Sequence, residues 1–64
     1  MTEKRLVFNF RSGVAVYSEI KTDSRGAIED VCTELYRLDS YPLSLDHAVQ
    51  VISDFHPDAK VLYA

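Results

Sequence analysis

Apolar and polar residues alternate along two short segments near the start of the chain, on either side of a Ser-Gly pair. Alternation with a period of two is typical of a β-strand that buries one face. Leu6, Phe8 and Phe10 mark the apolar face of the first segment, and Val14 and Val16 mark that of the second. The pattern predicts a β-hairpin over "RLVFNFRSGVAVYSEI".

The register of this hairpin follows if both apolar sets share one face. A three-residue loop at 11–13 pairs Phe10 with Val14 and Phe8 with Val16, which meets that condition. A two-residue loop separates the sets, because a slip of one residue reverses every side chain. The selected register predicts that the phenylalanines lie in the core and that the opposite face carries Val7, Ala15 and Tyr17.

Two later segments carry apolar residues at spacings of three and four, which predicts amphipathic helices. The stripe of the first helix is Ile28, Val31, Cys32, Leu35 and Leu38, preceded by the candidate caps Thr22, Asp23 and Ser24. The stripe of the second is Leu45, Ala48, Val49, Ile52 and Phe55, with Ser44 as its cap. The closing segment "AKVLYA" then predicts a third strand.

The order ββααβ predicts an α+β fold, a two-layer sandwich formed by one domain over residues 1–64. Its three-stranded mixed sheet has the order 2-1-3, with the last strand parallel to the first and two helices on one face. The helices cover a single face, so the other remains open. Arginine and tyrosine are enriched where partners bind, and we expect a contact surface on that open face, formed by Arg5, Val7, Asn9, Arg11 and Tyr17.

Composition narrows the function classes. A chain of 64 residues supports only a marginal core, and its single cysteine rules out an internal disulfide, so association would help its stability. The formal net charge of −3 does not suit a phosphate-binding protein. The start "MTEKRLVF" lacks the apolar run of a secretory signal, which predicts a cytoplasmic location.

No pattern of catalytic residues stands out. Cys32 lies on the predicted helix stripe, where we expect a buried thiol with a structural role. His47 and His56 are nine positions apart and would face different directions on a helix. Glycine-rich phosphate loops and convergent metal ligands are absent from the pattern. The sequence therefore predicts a protein that is not an enzyme and that needs no cofactor or metal.

These expectations favour a small protein-binding module, an inhibitor or adaptor of the kind that phages encode against host enzymes or defence systems, whose partner is another protein or a second copy. One alternative is an acidic mimic that competes with nucleic acid for a basic site, using Glu29, Asp30, Glu34, Asp46 and Asp54. Another is a nucleic-acid binder that uses the basic hairpin, since residues 1–25 hold five basic and three acidic side chains.

Overall fold

The computed structural model describes all 64 residues as four strands, one α-helix and a short 3₁₀ turn. The sheet has the order β3-β2-β1-β4. β2 is antiparallel to both β1 and β3, and β4 is parallel to β1. The elements are β1 (Thr2–Asn9), β2 (Val14–Thr22), β3 (Ile28–Arg37), the 3₁₀ turn (Leu38–Ser40), α1 (Leu45–Phe55) and β4 (Lys60–Tyr63).

The predicted ββααβ sandwich, with its three-stranded sheet of order 2-1-3 and two helices, is therefore wrong. The segment expected to form the first helix is strand β3, so the fold is α+β with a four-stranded mixed sheet and one helix. "IEDVCTELYR" contains β-branched and aromatic residues that suit a strand. A helix of this length is marginal on its own, whereas the strand completes the hydrogen bonding of β2.

The turn before β3 explains why the sequence resembled a helix start. The Asp23 carboxylate accepts hydrogen bonds from the backbone N–H groups of Arg25, at 2.8 Å, and Ala27, at 3.0 Å. A helix N-cap also accepts from backbone N–H groups a few residues ahead, so the two motifs have the same sequence signature. Gly26, at φ +83°, turns the chain back to form a second hairpin.

The register of the first hairpin also differs from the prediction. Leu6 lies opposite Tyr17 and Phe8 lies opposite Ala15, so the loop spans the four residues 10–13. The N–H of Gly13, at φ +73°, donates to the carbonyl of Asn9 at 2.9 Å. Compared with the predicted register the pairing is shifted by one residue, which reverses the faces of every β2 side chain.

This shift changes which residues form the core. Ala15 and Tyr17 lie on the inner face, which packs against the helix, whereas Val14 and Val16 lie on the outer face. Phe10 is in the loop and is 43% exposed. The buried core consists of Leu6, Phe8, Ala15, Tyr17, Leu38, Ala48 and Ile52.

Helix α1 begins where its pattern predicts, and the middle of its predicted apolar stripe faces the sheet, whereas Leu45 and Phe55, at the ends of that stripe, are 54% and 61% exposed. The Ser44 hydroxyl accepts from the N–H of His47 at 3.0 Å, and the acidic Asp46 lies in the first turn, where the helix dipole favours it. Ala48 and Ile52 are fully buried against the sheet. After the helix, β4 lies parallel to β1, and its Tyr63 ring stacks on the ring of Phe8 with centroids 5.8 Å apart.

The helix covers only part of one face of the sheet. Its 11 residues span ~16 Å, whereas the molecule extends over 44 Å. The far ends of β2 and β3 therefore project beyond the helix, and the outer face of the sheet has no layer over it. In such a small core, single large side chains carry much of the stability.

The two phenylalanines distinguish the observed register from the predicted one. We expect Phe8→Ala to lower the free energy of unfolding by about 3–5 kcal/mol, because the ring is fully buried. Phe10→Ala should cost about 1 kcal/mol, because its ring is partly in solvent. Urea unfolding of both variants measures the difference, and equal losses would contradict the observed register.

Candidate interaction surface

The outer face of the sheet carries an apolar row that crosses all four strands. Val7 is in register with Leu62 on one side and Val16 on the other, and Val16 is in register with Leu35. Residues in register share a face, so these four side chains form a continuous line across the sheet. This line lies at the centre of the outer face, the side of the sheet opposite the helix.

Neighbouring side chains, rather than a second layer, provide the only cover on this face. Leu35 is 64% exposed and Val31 is 52% exposed, while Val7, Val16 and Leu62 are half-buried. A second apolar pair, Ile20 and Val31, lies opposite across β2 and β3. Apolar side chains grouped this way in a small protein mark a binding surface or an aggregation risk.

A polar row runs beside the apolar one, and its β1 and β4 members are cationic. Lys60 is in register with Arg5, which is in register with Ser18 on β2. Arg5 is held in place by Glu3, whose carboxylate accepts from its Nε at 2.8 Å. An open depression of about 360 Å³ lies where the loop between β1 and β2 meets the end of β3. It is lined by Ser12, Gly13, Val14, Leu35, Arg37 and Asp39.

Strand β3 forms a free edge of the sheet. The N–H of Leu38 donates to the carbonyl of Gly13 at 3.0 Å, which continues the register of β2 and β3. Because backbone groups alternate in direction along an antiparallel strand, the residues that bond to β2 are the even-numbered ones. The N–H and C=O groups that point away from the sheet belong to Val31, Thr33, Leu35 and Arg37.

The predicted partner-binding residues divide between three places. Arg5, Val7 and Asn9 lie on the outer face, as expected. Arg11 lies in the loop between β1 and β2. Tyr17 is on the inner face and only 9% exposed, so its expected place on the open face is wrong. The one-residue shift in register is the reason, and it leaves the open face more apolar than predicted.

Tyr17 instead belongs to a cluster that fixes the end of the helix to the sheet. The ring of His56, the residue after α1, stacks on Tyr17 with centroids 3.7 Å apart and an interplanar angle of 11°. Tyr36 on β3 meets the same imidazole edge-on, and its hydroxyl lies 2.7 Å from Nε2. The cluster connects β2 and β3 with the end of α1 through residues that are far apart in the chain and share no local pattern.

The hydrogen bonds show which atoms of this cluster carry the protons. The Tyr36 hydroxyl donates to the Glu34 carboxylate at 2.8 Å. Since a phenol has a single proton, His56 Nε2–H then donates to the Tyr36 oxygen. Burial, together with this bond to Glu34, raises the pKa of Tyr36 to about 12. A tyrosine with so high a pKa keeps its proton near neutral pH, which suits a structural role better than acid–base catalysis.

The acidic residues do not converge on one surface. Glu29, Asp30 and Glu34 lie on β3, not on a helix, and Asp46 and Asp54 lie at opposite ends of α1. Asp30 and Glu34 are separated by ~13 Å along an extended strand. The predicted helix, which would have brought these two carboxylates next to each other on one face, is a strand.

The basic residues of the first 25 positions are also dispersed. Arg11 and Arg25 lie in the turns at opposite ends of β2, about 30 Å apart at the rise of a nine-residue strand. Lys4 and Arg5 are neighbours in an extended strand, so they point to opposite faces of the sheet. A nucleic-acid site needs a continuous cationic stripe, which this arrangement does not supply.

Cys32 is exposed on β3, so the expected burial of its thiol is wrong. No group of three or more histidine, cysteine or acidic side chains is placed to hold a metal ion. None of the helices has the length and apolar character needed to cross a membrane. No family model, curated protein or solved structure shows significant similarity to the chain.

Thiol labelling tests the position of Cys32. We expect the folded protein to react with a thiol reagent as fast as the urea-unfolded protein, because neither the helix nor a loop covers this side chain. A Leu6→Cys, Cys32→Ser variant is the matched control, since its thiol replaces a fully buried side chain and should react slowly. Slow labelling of native Cys32 would contradict its position on an open strand.

Alkaline unfolding tests the Tyr36 cluster. The native pKa of about 12 exceeds the unfolded value near 10, so the native state keeps the proton that the unfolded state releases. Stability should be constant below pH ~10 and fall as the pH rises toward about 12. Tyr36→Phe should be less stable at pH 8 than the native protein and show a weaker decline as the pH rises. An unchanged decline in Tyr36→Phe would show that Tyr36 is not responsible.

Proposed function

We propose that the protein is a non-catalytic protein-binding module, an inhibitor or adaptor that covers a site on another protein with its outer face. The observation that carries the proposal is the uncovered apolar row Leu62–Val7–Val16–Leu35. Only seven residues of the chain are buried, and an apolar row with no layer over it, half-buried at Val7, Val16 and Leu62 and exposed at Leu35, offers further apolar surface for burial in a contact. The same face carries the cationic side chains of Arg5 and Lys60 beside the row.

The size of the outer face is consistent with a modest protein contact. Four strands spaced ~4.8 Å apart, with a rise of ~3.3 Å per residue, give roughly 500 Å². A standard interface buries about 800 Å² per partner, and smaller ones are transient. Burying the apolar part of this face would contribute about 25 cal/mol for each Å² removed from water.

The chemistry of the face indicates the chemistry of its partner. The apolar row requires an apolar patch on the other protein. Lys60 is adjacent in register to Arg5, whose guanidinium is already paired with Glu3. The Lys60 ammonium group therefore favours a carboxylate at the rim of that patch. We therefore propose a partner with an apolar site bordered by acidic side chains. A cytoplasmic location fits this proposal, because an exposed thiol such as that of Cys32 persists in a reducing compartment.

Paired variants test the proposal. Val7→Glu with Leu62→Glu places two acids on the apolar row, opposite the expected acidic rim, without touching the core. We expect this variant to lose at least tenfold in affinity for the partner recovered from host extract by the native chain, because it removes apolar contact and adds like-charge repulsion. Affinities are measured by calorimetry with the purified partner.

The matched control changes the acidic surfaces instead. Asp30→Lys with Asp54→Lys reverses two exposed charges and should leave the affinity within about twofold if the outer face makes the contact. Loss of binding in this control alone would replace the proposal with the acidic-mimic reading. Salt-sensitive binding of the isolated chain to DNA or RNA would instead indicate a nucleic-acid binder.

A further inference from the structure

The free edge of β3 has the features of a self-association site. It is the longest strand, with ten residues, and it hydrogen-bonds on one side only. The backbone groups of Val31, Thr33, Leu35 and Arg37 point outward along it. Proteins usually protect such edges with charged side chains, above all lysine, with proline, with a bulge or with a covering loop. This strand contains no lysine or proline, and its one register irregularity lies at its start, opposite Lys21 and Thr22, so residues 31–37 form a regular edge.

We infer that two copies of the chain pair antiparallel through β3, with Thr33 opposite Thr33 of the second copy, to form one eight-stranded sheet. The two-fold axis passes through this threonine pair and is perpendicular to the sheet. The outward groups of residues 31, 33 and 35 then bond across the interface in the pattern of an antiparallel ladder. The inference is independent of the proposed function, since it concerns the edge and not the outer face.

The side chains on the strand select this register. With the axis at Thr33, Val31 lies opposite Leu35 of the second copy, and this apolar pair occurs twice. The acidic end of β3, at Glu29, approaches Arg37 of the second copy. Cross-strand apolar pairs and opposite charges both stabilise a sheet.

The adjacent registers bring like charges together. Moving the axis to Cys32 places Asp30 opposite Glu34 of the second copy, twice. Moving it to Glu34 places this residue opposite itself. Like charges directly opposite destabilise paired strands, so charge complementarity favours the register at Thr33 over both neighbours.

Pairing in this register has a consequence for the outer face. Because the axis is perpendicular to the sheet, both outer faces lie on the same side of the dimer and both helices lie on the other. Together they form a surface of roughly 1,000 Å², twice that of a single copy. That area is within the range of standard protein interfaces.

Mass measurement by light scattering across protein concentrations tests the pairing. The native chain should move from 7.3 kDa toward twice that mass as its concentration rises. Thr33→Pro removes an outward N–H that no bond within the chain uses, so the variant should fold and its dimer should dissociate at least tenfold more readily. If Thr33→Pro does not fold, Thr33→Lys replaces it in the test. This variant places two cations opposite each other across the inferred interface and should also weaken the dimer.

Cysteine cross-linking tests the register. Thr33→Cys with Cys32→Ser brings two thiols together in a hydrogen-bonded pair, ~5.5 Å apart at Cα, which a disulfide can span. Under oxidising conditions this variant should form a covalent dimer faster than the native chain, whose Cys32 faces Glu34 of the second copy. Faster cross-linking through native Cys32 would overturn the register.

Two further results would overturn the inference as a whole. The first is a native chain that remains monomeric at millimolar concentration. The second is a dimer that Thr33→Pro leaves intact and that Val7→Glu with Leu62→Glu dissociates, because the contact would then be made by the outer faces. Loss of partner binding in the outer-face variant with an unchanged dimer would support both proposals separately.

Discussion

The structure depends on the register between β1 and β2. Leu6 opposite Tyr17 and Phe8 opposite Ala15 set the inner face of the sheet, and those four residues make up more than half of the buried core. Tyr17 then presents its ring to His56, which holds the end of the helix. The same register turns Val16 outward beside Val7, so one constraint both builds the core and creates the apolar outer face.

The shortness of the chain explains the uneven covering of the sheet. One helix of 11 residues has enough apolar surface for the centre of the inner face, where Ala48 and Ile52 are fully buried. In the structure no other element lies over the outer face or pairs with the edge of β3. A small core usually needs support from association, and here the uncovered surfaces are apolar or carry free backbone groups, as association requires.

Part of this fold could be predicted from the sequence. Ser44 and the stripe that follows predicted α1, and the final strand lies parallel to β1 as its pattern indicated. The two strands of the first hairpin were also predicted, but their register was not. Segment 28–37 was wrongly predicted as a helix, because its apolar residues recur at helical spacing and Asp23 caps a turn as well as it would cap a helix. The segment forms a strand because it pairs with β2, whose backbone groups on that side would otherwise have no partner in the sheet.

The candidate surface was predicted only in outline. An open sheet face with Arg5, Val7 and Asn9 followed from the shortage of chain. Its apolar row did not, because the row depends on the four-residue loop at 10–13, and Tyr17, which is apolar along its ring and polar at its hydroxyl, suits either face. The cluster of Tyr17, Tyr36 and His56 joins distant parts of the chain and had no local sequence signal.

The central claim is that the isolated chain exposes the face bearing Val7 and Val16 and buries the face bearing Leu6 and Tyr17. Methyl and aromatic NMR signals of dilute protein, recorded with a soluble paramagnetic probe, test it most directly. The account predicts strong broadening for Val7, Val16, Leu35 and Leu62, and little for Leu6, Tyr17 and Ile52. Protection of Val16 together with broadening of Tyr17 would contradict the register, and with it the outer face on which the proposed function rests.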